Sequence, residues 1–255
     1  MKELLCILLC VLASFQNVNA QSTKLSDIEV RYYMKYKPDS LVREKYFEAE
    51  MVLVMNNNQS YYFNPAMVRF YENLDKAVAT YSNVQEIAKN PISLPKTRHS
   101  AWRENDNIFI TSPLGKYNYT YKASKIQWTL LSEVKSIGNY SCRLATATID
   151  GDKIYAWYTT EIPFDEGPFK YKGLPGLILE VHNESGTFEI EATNVAMRNV
   201  PIVRMNEALN VNLKDRSEFI FARDKYHKYP FDNNFPKEIV DRKINELKKI
   251  NVFLD

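Results

Sequence analysis

A chain of 255 residues is long enough to bury one sizeable hydrophobic core or two small ones. Its 33 basic and 31 acidic side chains nearly balance and are dispersed along the sequence, which argues against nucleic acid as a partner. The 17 Tyr and 13 Phe favour pleated, half-buried surfaces, so the composition predicts a β-rich protein.

The first residues have the pattern of a secretory signal peptide. Lys2 precedes an apolar run from Leu4 to Phe15, and the small residue Ala20 ends the segment. We therefore predict a signal peptide over residues 1–20, cleavage after Ala20, and a single β-rich domain over residues 21–255 in the periplasm or secreted. The apolar run is shorter than the roughly 20 residues needed to span a bilayer, and no later segment reaches that length. The mature chain is therefore predicted not to span a membrane.

Cleavage would remove Cys6 and Cys10 and leave Cys142 as the single thiol of the mature chain. An intramolecular disulfide is then excluded, although the compartment is oxidising. We interpret Cys142 as a buried small hydrophobe within a strand. A reactive thiol or an intermolecular disulfide are the alternatives.

The first half of the mature chain begins with strands. "IEVRYYMKY" alternates with a period of two from Ile28, which predicts a strand with one buried face. "EMVLVMNNNQSYYFN" reads as two strands about Asn56, Asn57 and Asn58, a hairpin. The segment from Pro65 to Lys89 has helical spacing with polar insertions, and we expect a helix or a long excursion there.

The second half predicts a meander of strands followed by a helix. Strands are expected in "NIFITS", "NYTYKAS", "IQWTLLSE" and "SCRLATATI", and Asp150 with Gly151 suits a tight turn into "KIYAWYTTEI". "LILEVH" and "TFEIEATNV" form a second hairpin, and the tail from Asn234 to Phe253 reads as an amphipathic helix. The predicted class is α+β: a mostly antiparallel, curved, half-barrel-like sheet, with a long helical excursion after the first hairpin and a C-terminal helix.

Three of the seven glycines fall within "EIPFDEGPFKYKGLPGLILEV". Pro175 and Gly176 suit the two central positions of a type II turn over Leu174 to Leu177. A strand rather than a helix follows, so a phosphate-binding loop is not predicted. We interpret the stretch as a rigid corner between two strands. Its structural motif consists of Gly167, Pro168, Gly173, Leu174, Pro175, Gly176, Leu177 and Ile178.

The run "GLPGLIL", preceded by "AWYTTEIP" and "GPFK", resembles the bacterial GLPGLI family, which is named for the hexapeptide found here at Gly173 to Ile178. Residues Trp128 to Val181 carry the resemblance at the level of motifs. The order of leader, Tyr-rich strand, meander and Lys-rich tail is also similar. The resemblance implies an exported bacterial envelope protein, and it implies no activity.

The sequence predicts no catalytic, cofactor or metal site. G-x-S-x-G, H-E-x-x-H, Cys-x-x-Cys and phosphate-loop motifs are all missing, and His99, His182 and His227 lack paired ligand spacing. Asp165 and Glu166 are interpreted as residues of a solvated loop in preference to a carboxylate pair. The alternative for Lys170 and Lys172 is an anion site. The candidate ligand or partner contacts are the aromatic residues Trp157, Phe169 and Tyr171, for which core packing is the competing explanation.

The favoured hypothesis is a non-catalytic binding module that holds a hydrophobic ligand or a partner segment on the curved sheet. One alternative is an accessory protein that recognises an outer-membrane transporter or another envelope protein through exposed Phe169, Tyr171 and Leu174. A hydrolase is the other, and it would require a histidine near both a carboxylate and a hydroxyl.

Overall fold

The computed structural model describes residues 25–38, 46–80, 95, 97–115, 117–204, 210–231, 236–250 and 254. Within these residues, twelve strands form one open, curved and mostly antiparallel sheet, and three helices accompany it. The predicted α+β class with a half-barrel-like sheet is confirmed. The predicted signal peptide lies outside the described residues.

The strands are β1 (Ile28–Tyr36), β2 (Phe47–Met55), β3 (Gln59–Phe63), β4 (Ser100–Glu104), β5 (Asn107–Leu114), β6 (Tyr117–Lys122), β7 (Thr129–Ile137), β8 (Tyr140–Ile149), β9 (Asp152–Thr159), β10 (Leu177–Asn183), β11 (Phe188–Met197) and β12 (Asn210–Asn212). The helices are α1 (Pro65–Thr80), α2 (Arg216–Lys228) and α3 (Lys237–Leu247). The order across the sheet is β12-β6-β5-β4-β3-β2-β1-β11-β10-β9-β8-β7. Only the short pairing of β12 with β6 is parallel among these strands.

The period-two alternation of the sequence explains which side chains of the central strand β1 face the core. In β1, Val30, Tyr32 and Met34 face the core, and each pairs across with a residue of β2 and of β11. The predicted β2–β3 hairpin forms about the asparagines, where Asn56 Oδ1 accepts hydrogen bonds from the backbone of Asn58 at 3.0 Å and of Gln59 at 2.9 Å. The asparagine side chain therefore satisfies the donors of the turn.

The second predicted hairpin and the Asp150–Gly151 turn are also present. Asp150 and Gly151 have φ of 53° and 82°, the left-handed values that such a turn needs. At the β10–β11 turn, Asn183 Oδ1 accepts hydrogen bonds from the backbone N–H groups of Thr187 at 2.9 Å and Phe188 at 3.0 Å. Both turns bring consecutive strands into register.

Helix α2 crosses the concave side of the sheet, and the sequence analysis did not predict it. At its first turn, Arg216 donates two hydrogen bonds of 2.9 and 2.7 Å to Asp150 in the β8–β9 turn. Phe219 then stacks on Tyr121 of β6, with ring centroids 5.5 Å apart. Further along, Tyr226 packs against Gly115 between β5 and β6. The helix therefore connects two strand turns from opposite halves of the curved sheet.

The remaining helices correspond to predicted segments. Helix α1 lies in the excursion after the first hairpin, and residues 81–89 of that predicted segment lie outside the described part of the chain. Helix α3 lies within the predicted tail helix and buries Leu247. In the part of the chain that the structure describes, no helix is long and apolar enough to cross a membrane.

Candidate functional site

Residues 160–176, which we call the corner, join β9 to β10 and fold onto the concave face of the sheet. Phe169 and Tyr171 are each 2% exposed, and Leu174 is 1% exposed. The Phe169 ring lies 6.2 Å from that of Tyr62, and the Tyr171 ring stacks on Phe188 at 5.6 Å. These three residues therefore fill the core, and the accessory-protein hypothesis loses the exposed anchors on which it depended.

A buried charge cluster fixes the corner to the sheet. Both carboxylate oxygens of the fully buried Glu166 are ion-paired, Oε1 to Arg103 of β4 and Oε2 to Lys172. Arg103 donates further hydrogen bonds to the backbone carbonyls of Asn105 at 3.1 Å and Asn56 at 3.3 Å. The cluster thus links the corner to β4 and to the β2–β3 turn through charge-assisted hydrogen bonds.

This cluster corrects the interpretation of Glu166 as a solvated loop residue, whereas its neighbour Asp165 is exposed as expected. Burial alone would raise the pKa of Glu166, but the charges of Lys172 and Arg103 outweigh burial and hold that pKa below its ordinary value. Glu166 is therefore an ionised carboxylate within the protein. The Lys172 ammonium donates hydrogen bonds to Glu166, to Gly167 O at 3.2 Å and to Ser60 Oγ at 3.4 Å. All of these contacts are therefore made inside the core.

The predicted corner is present, but its turn differs from the predicted type II turn. The Leu177 N–H donates to Ile162 O at 3.1 Å, and the Gly176 N–H donates to Leu174 O at 2.7 Å, which is a γ-turn centred on Pro175. Gly176 has a φ of 157°, and a Cβ there would lie 2.7 Å from the carbonyl carbon of Thr159. Close approach to β9 is therefore the main reason for glycine at this position.

One non-glycine residue of the corner has a left-handed backbone. Phe169 has a φ of 53° although its ring is buried, a conformation that costs free energy and persists only where the surroundings enforce it. The Trp128 indole N–H donates to Lys172 O at 2.9 Å and also holds this segment in place. As a result Phe169 and Tyr171 are buried, while Lys170 between them stays partly exposed.

Lys170 lines a cavity of about 340 Å³ on the concave side, which we call the groove. Its floor and walls come from β5 and β6, from the 123–127 segment that follows β6, from the end of β8 and from the start of α2. The lining residues are Ile110, Tyr121, Ala123, Ser124, Lys125, Ile126, Gln127, Thr148, Ile149, Lys170 and Arg216. Most of the surface that lines the groove is apolar, although six of these residues are polar or charged, and the charged ones are cations.

Two further cavities adjoin the groove. A cavity of about 230 Å³ shares residues 124–127 and Lys170 with it, and also contacts Arg103, Asp165 and Lys172. A wider depression of about 540 Å³ shares Ile149, Lys170 and Arg216 with the groove and also contacts Tyr171. Lys170 therefore lies where the three cavities meet, and Tyr171 contributes to the wall of one of them.

A separate cavity of about 300 Å³ lies at the other end of α2, between the ends of β1 and β5 and helix α3, and we call it the helix cavity. It includes His99, His227 and the buried Ser112. His99 Nδ1 lies 3.0 Å from the Thr97 hydroxyl. His182, in contrast, lies on β10, where its Nδ1 is 3.2 Å from Glu180. The structure thus brings His99 and His227 to the same cavity, which their sequence spacing did not suggest, and keeps His182 apart.

The remaining predicted residues lie away from the groove. Trp157 lies on the face of β9 opposite to that of Ala156, and the Lys135 ammonium lies 4.6 Å from the centroid of its ring. The structure therefore does not bring Trp157 together with Phe169 and Tyr171. Cys142 is fully buried, as predicted, and burial raises the pKa of its thiol to about 11. Among the described residues, no cluster of three or more His, Cys, Asp or Glu side chains could hold a metal ion.

Comparison with known proteins gives a family match over a short stretch. A family model described as "Protein of unknown function (Porph_ging)" matches residues 149–180, from the end of β8 to Glu180 in β10. This range contains the whole corner and the Gly173–Ile178 hexapeptide. The chain therefore matches an uncharacterised family in the region where the sequence suggested one. No protein of curated function matched the sequence.

Solved structures with a related shape are distant in sequence. Two structures of PNGF-II, determined in different space groups, each align with a TM-score of 0.49 at 16% and 15% identity. They cover 78% and 76% of this chain, which spans about a third of PNGF-II (33% and 32%). An uncharacterised conserved protein from Thermus thermophilus aligns with a TM-score of 0.36 at 7% identity, over 80% of this chain and 99% of its own.

Proposed function

We propose that this chain is an exported, GLPGLI-type binding module that holds a hydrophobic ligand in the groove. The observation that carries the proposal is the apolar surface of the groove on the concave side of the sheet, to which the half-buried Ala123, Ile126 and Ile149 contribute the accessible area. Small-molecule sites are concave, mostly apolar and about 300–1,000 Å³ in volume. The groove, at about 340 Å³, is at the lower end of that range.

The corner and α2 support this proposal because they give the groove fixed walls. The Glu166 ion pairs hold the corner to β4, and the Arg216–Asp150 hydrogen bonds hold the start of α2 to the β8–β9 turn. A preformed cavity requires little ordering when a ligand binds, and affinity benefits accordingly. The motif residues act as architecture in this proposal, and they do not act as a catalytic loop.

The export part of the proposal rests on the leader-like residues 1–20 and on the literal Gly173–Ile178 hexapeptide. Expression of the full chain in a Gram-negative bacterium, followed by N-terminal sequencing of periplasmic material, tests it. We expect the mature chain to start at Gln21. Recovery of an uncleaved chain in the cytoplasm alone would contradict export.

Ligand binding is tested with the neutral apolar fluorophore N-phenyl-1-naphthylamine, titrated into the purified protein. Ala123→Trp places a large ring in the groove and is expected to abolish the fluorescence increase. Ala79→Trp makes the same chemical change at an exposed position of α1 and should bind like the wild type. Circular dichroism establishes that each variant is folded.

A third variant separates the groove from the helix cavity. Leu247→Trp enlarges a side chain that lines the helix cavity, and it should leave fluorophore binding intact. The proposal is refuted if the wild type fails to bind the fluorophore, or if Leu247→Trp removes binding while Ala123→Trp does not. Should Ala123→Trp not fold, Thr148→Phe at the opposite wall of the groove provides the same test.

A further inference from the structure

We propose that the outer edge of β7 pairs with the same edge of a second copy of this chain, in antiparallel register about Val134, and that the protein forms a dimer in this way. The observation that carries this inference is the sequence of β7, in which charged, polar and apolar residues are arranged symmetrically about Val134 at an exposed edge of the sheet. None of the β7 residues lines the groove, so the inference does not depend on the proposed function.

Strand β7 lies at the end of the strand order, and β8 is its one neighbour among the described residues. No residue of β7 is buried, and the side chains of Leu130 and Val134 are 54% and 59% exposed. An edge strand presents a row of unpaired backbone N–H and C=O groups, and a long edge with exposed apolar side chains is a template for pairing with another chain. Strand β7 therefore has the properties of an edge that another strand can extend.

The backbone of β7 offers hydrogen-bonding groups at the centre of this edge. The two residues that flank the short turn between β7 and β8 form a hydrogen-bonded pair, and from there hydrogen-bonded and non-hydrogen-bonded pairs alternate. Val134 and Ser136 belong to the second kind, so their N–H and C=O groups point away from β8. In agreement, the N–H of Ser141, which lies opposite Ser136, donates instead to Glu161 at 2.8 Å. The outward groups of Val134 can therefore bond to those of a second Val134.

The side chains of β7 match one another when two copies pair antiparallel with Val134 opposite Val134. Each residue then lies opposite the one at the same distance on the other side of position 134. The resulting pairs, each formed twice by the two-fold symmetry, are Glu133 with Lys135, Ser132 with Ser136, and Leu131 with Ile137. Opposite charges, hydroxyls and apolar side chains stabilise an antiparallel ladder when they lie directly across from each other. The edge is therefore complementary to itself.

The charges also select this register over its neighbours. Moving the two-fold axis by one residue would place Glu133 opposite Glu133, or Lys135 opposite Lys135, and like charges directly opposite each other are destabilising. Lys135 already donates a hydrogen bond of 2.5 Å to Glu180 of its own chain, so its charge is partly balanced there. We therefore expect the Glu133–Lys135 pairs to determine the register more than to increase the affinity.

An irregularity in β7 limits the strength of the dimer. The register of β7 with β8 shifts between Leu130 and Val134, and such shifts bend an edge strand and shorten the ladder that it can form. The interface should therefore be small and the dimer reversible. Complexes that bury less than about 1,200 Å² are typically weak, so we expect dissociation between about 10 μM and about 1 mM.

Charge exchange between positions 133 and 135 tests the inference. Sedimentation velocity of the purified protein over a concentration series measures dimer formation. Glu133→Lys alone and Lys135→Glu alone each create two pairs of like charges, and each should weaken self-association about tenfold. An equimolar mixture of these two variants pairs opposite charges again and should associate like the wild type. The double variant with both substitutions should also recover.

Matched controls make the same changes of charge elsewhere. Glu191→Lys and Lys122→Glu lie at exposed positions of β11 and β6, and both should dimerise like the wild type. Circular dichroism establishes that every variant is folded. Should Lys135→Glu not fold because it loses its bond to Glu180, Val134→Lys places two like charges at the two-fold axis and should also weaken the dimer.

Each contrary outcome overturns a defined part of the inference. A wild type that stays monomeric up to about 1 mM would overturn the dimer. A wild-type dimer that Glu133→Lys, Lys135→Glu and Val134→Lys all leave intact would show that another surface forms it. Failure of the mixture and of the double variant to recover, with both single variants monomeric, would overturn the register about Val134. Equal weakening by the control substitutions would show that net charge governs association.

Discussion

Replacing Glu166 by glutamine should destabilise the protein strongly. The substitution keeps the shape of the side chain but removes the one negative charge between Arg103 and Lys172, whose side chains are only 9% and 2% exposed. Breaking a buried ion pair by removing one partner costs about 3–5 kcal/mol, because the remaining charge stays buried without compensation. For a chain of this size the melting temperature should fall by about 6–20 °C, at 2–4 °C per kcal/mol.

The pH dependence of the free energy of unfolding tests the same prediction independently. Since the pKa of Glu166 is lowered on folding, its contribution to stability is fully present above its unfolded pKa, about 4.3, and is lost as pH falls through the folded value. Glutamine does not titrate, so the variant lacks this contribution at every pH. The free-energy difference between wild type and variant should therefore narrow below about pH 4.

Urea unfolding of both proteins, followed by circular dichroism from pH 8 to pH 3, measures these differences. Asp165→Asn is the matched control, because it neutralises the adjacent but exposed carboxylate and should change stability by no more than about 0.5 kcal/mol. A triple variant with Arg103→Met, Glu166→Leu and Lys172→Met should be more stable than Glu166→Gln, since it buries no unpaired charge. Equal stability of Glu166→Gln and the wild type, or a difference independent of pH, would refute the role of the cluster.

Two further predictions concern the corner and the strand next to it. Gly176→Ala should lower the free energy of unfolding by more than the roughly 1–2 kcal/mol expected for Gly173→Ala. The new methyl group at position 176 would collide with Thr159, whereas Gly173, at a φ of 92°, has open space around it. Thermal unfolding of both variants compares them, and the reverse order of stability would be inconsistent with the observed packing. Burial raises the pKa of the Cys142 thiol to about 11, so this residue should resist alkylation by iodoacetamide at pH 8 until the protein is denatured. Mass spectrometry measures the labelling, and rapid labelling of the native protein would count against the burial of Cys142.

The sequence predicts β1 by its alternation and the hairpins by their turn residues. In β1, alternation from Ile28 to Tyr36 marks a single core face, and the hairpins at Asn56 and Asp150 carry residues that favour turns. Strand β4 was missed because its five residues, SAWRE, include a buried arginine on the core face. An arginine facing the core does not follow the apolar alternation on which strand prediction depends.

Helix α2 was missed although its start carries a recognisable signal. Asp215 accepts hydrogen bonds from the backbone N–H groups of Ser217 at 2.9 Å and Glu218 at 3.3 Å, and the side chain of Glu218 accepts from the backbone of Lys214 at 2.9 Å. This resembles a capping box and could have been found in "KDRSE". Its large apolar residues Phe219, Ile220 and Phe221 are consecutive and not spaced by three or four, and only Phe219 is buried among the described residues of the helix, so its apolar periodicity is weak.

The candidate site was harder to predict because the role of each residue depends on contacts with residues that are far away in the sequence. Glu166, Arg103 and Ser60 are far apart in sequence and meet only when the corner folds onto β3 and β4. The side chains of Lys170 and Lys172 have the same charge and lie two residues apart, yet Lys172 is buried in the core and Lys170 lines the groove. Neither composition nor spacing distinguishes them.

The corner thus links the stability of the fold to the geometry of the groove. Gly176 permits close approach to β9, and the buried carboxylate of Glu166 fixes the corner to β4. Because the same segment contributes Lys170 to the wall of the groove, a substitution at Glu166 should disturb ligand binding as well as stability. The short segment matched by the family model, residues 149–180, includes the turn to which α2 is tied, the corner and Lys170. Under the proposed function this stretch both forms one wall of the groove and anchors the core, so substitutions within it are expected to affect stability and ligand binding together.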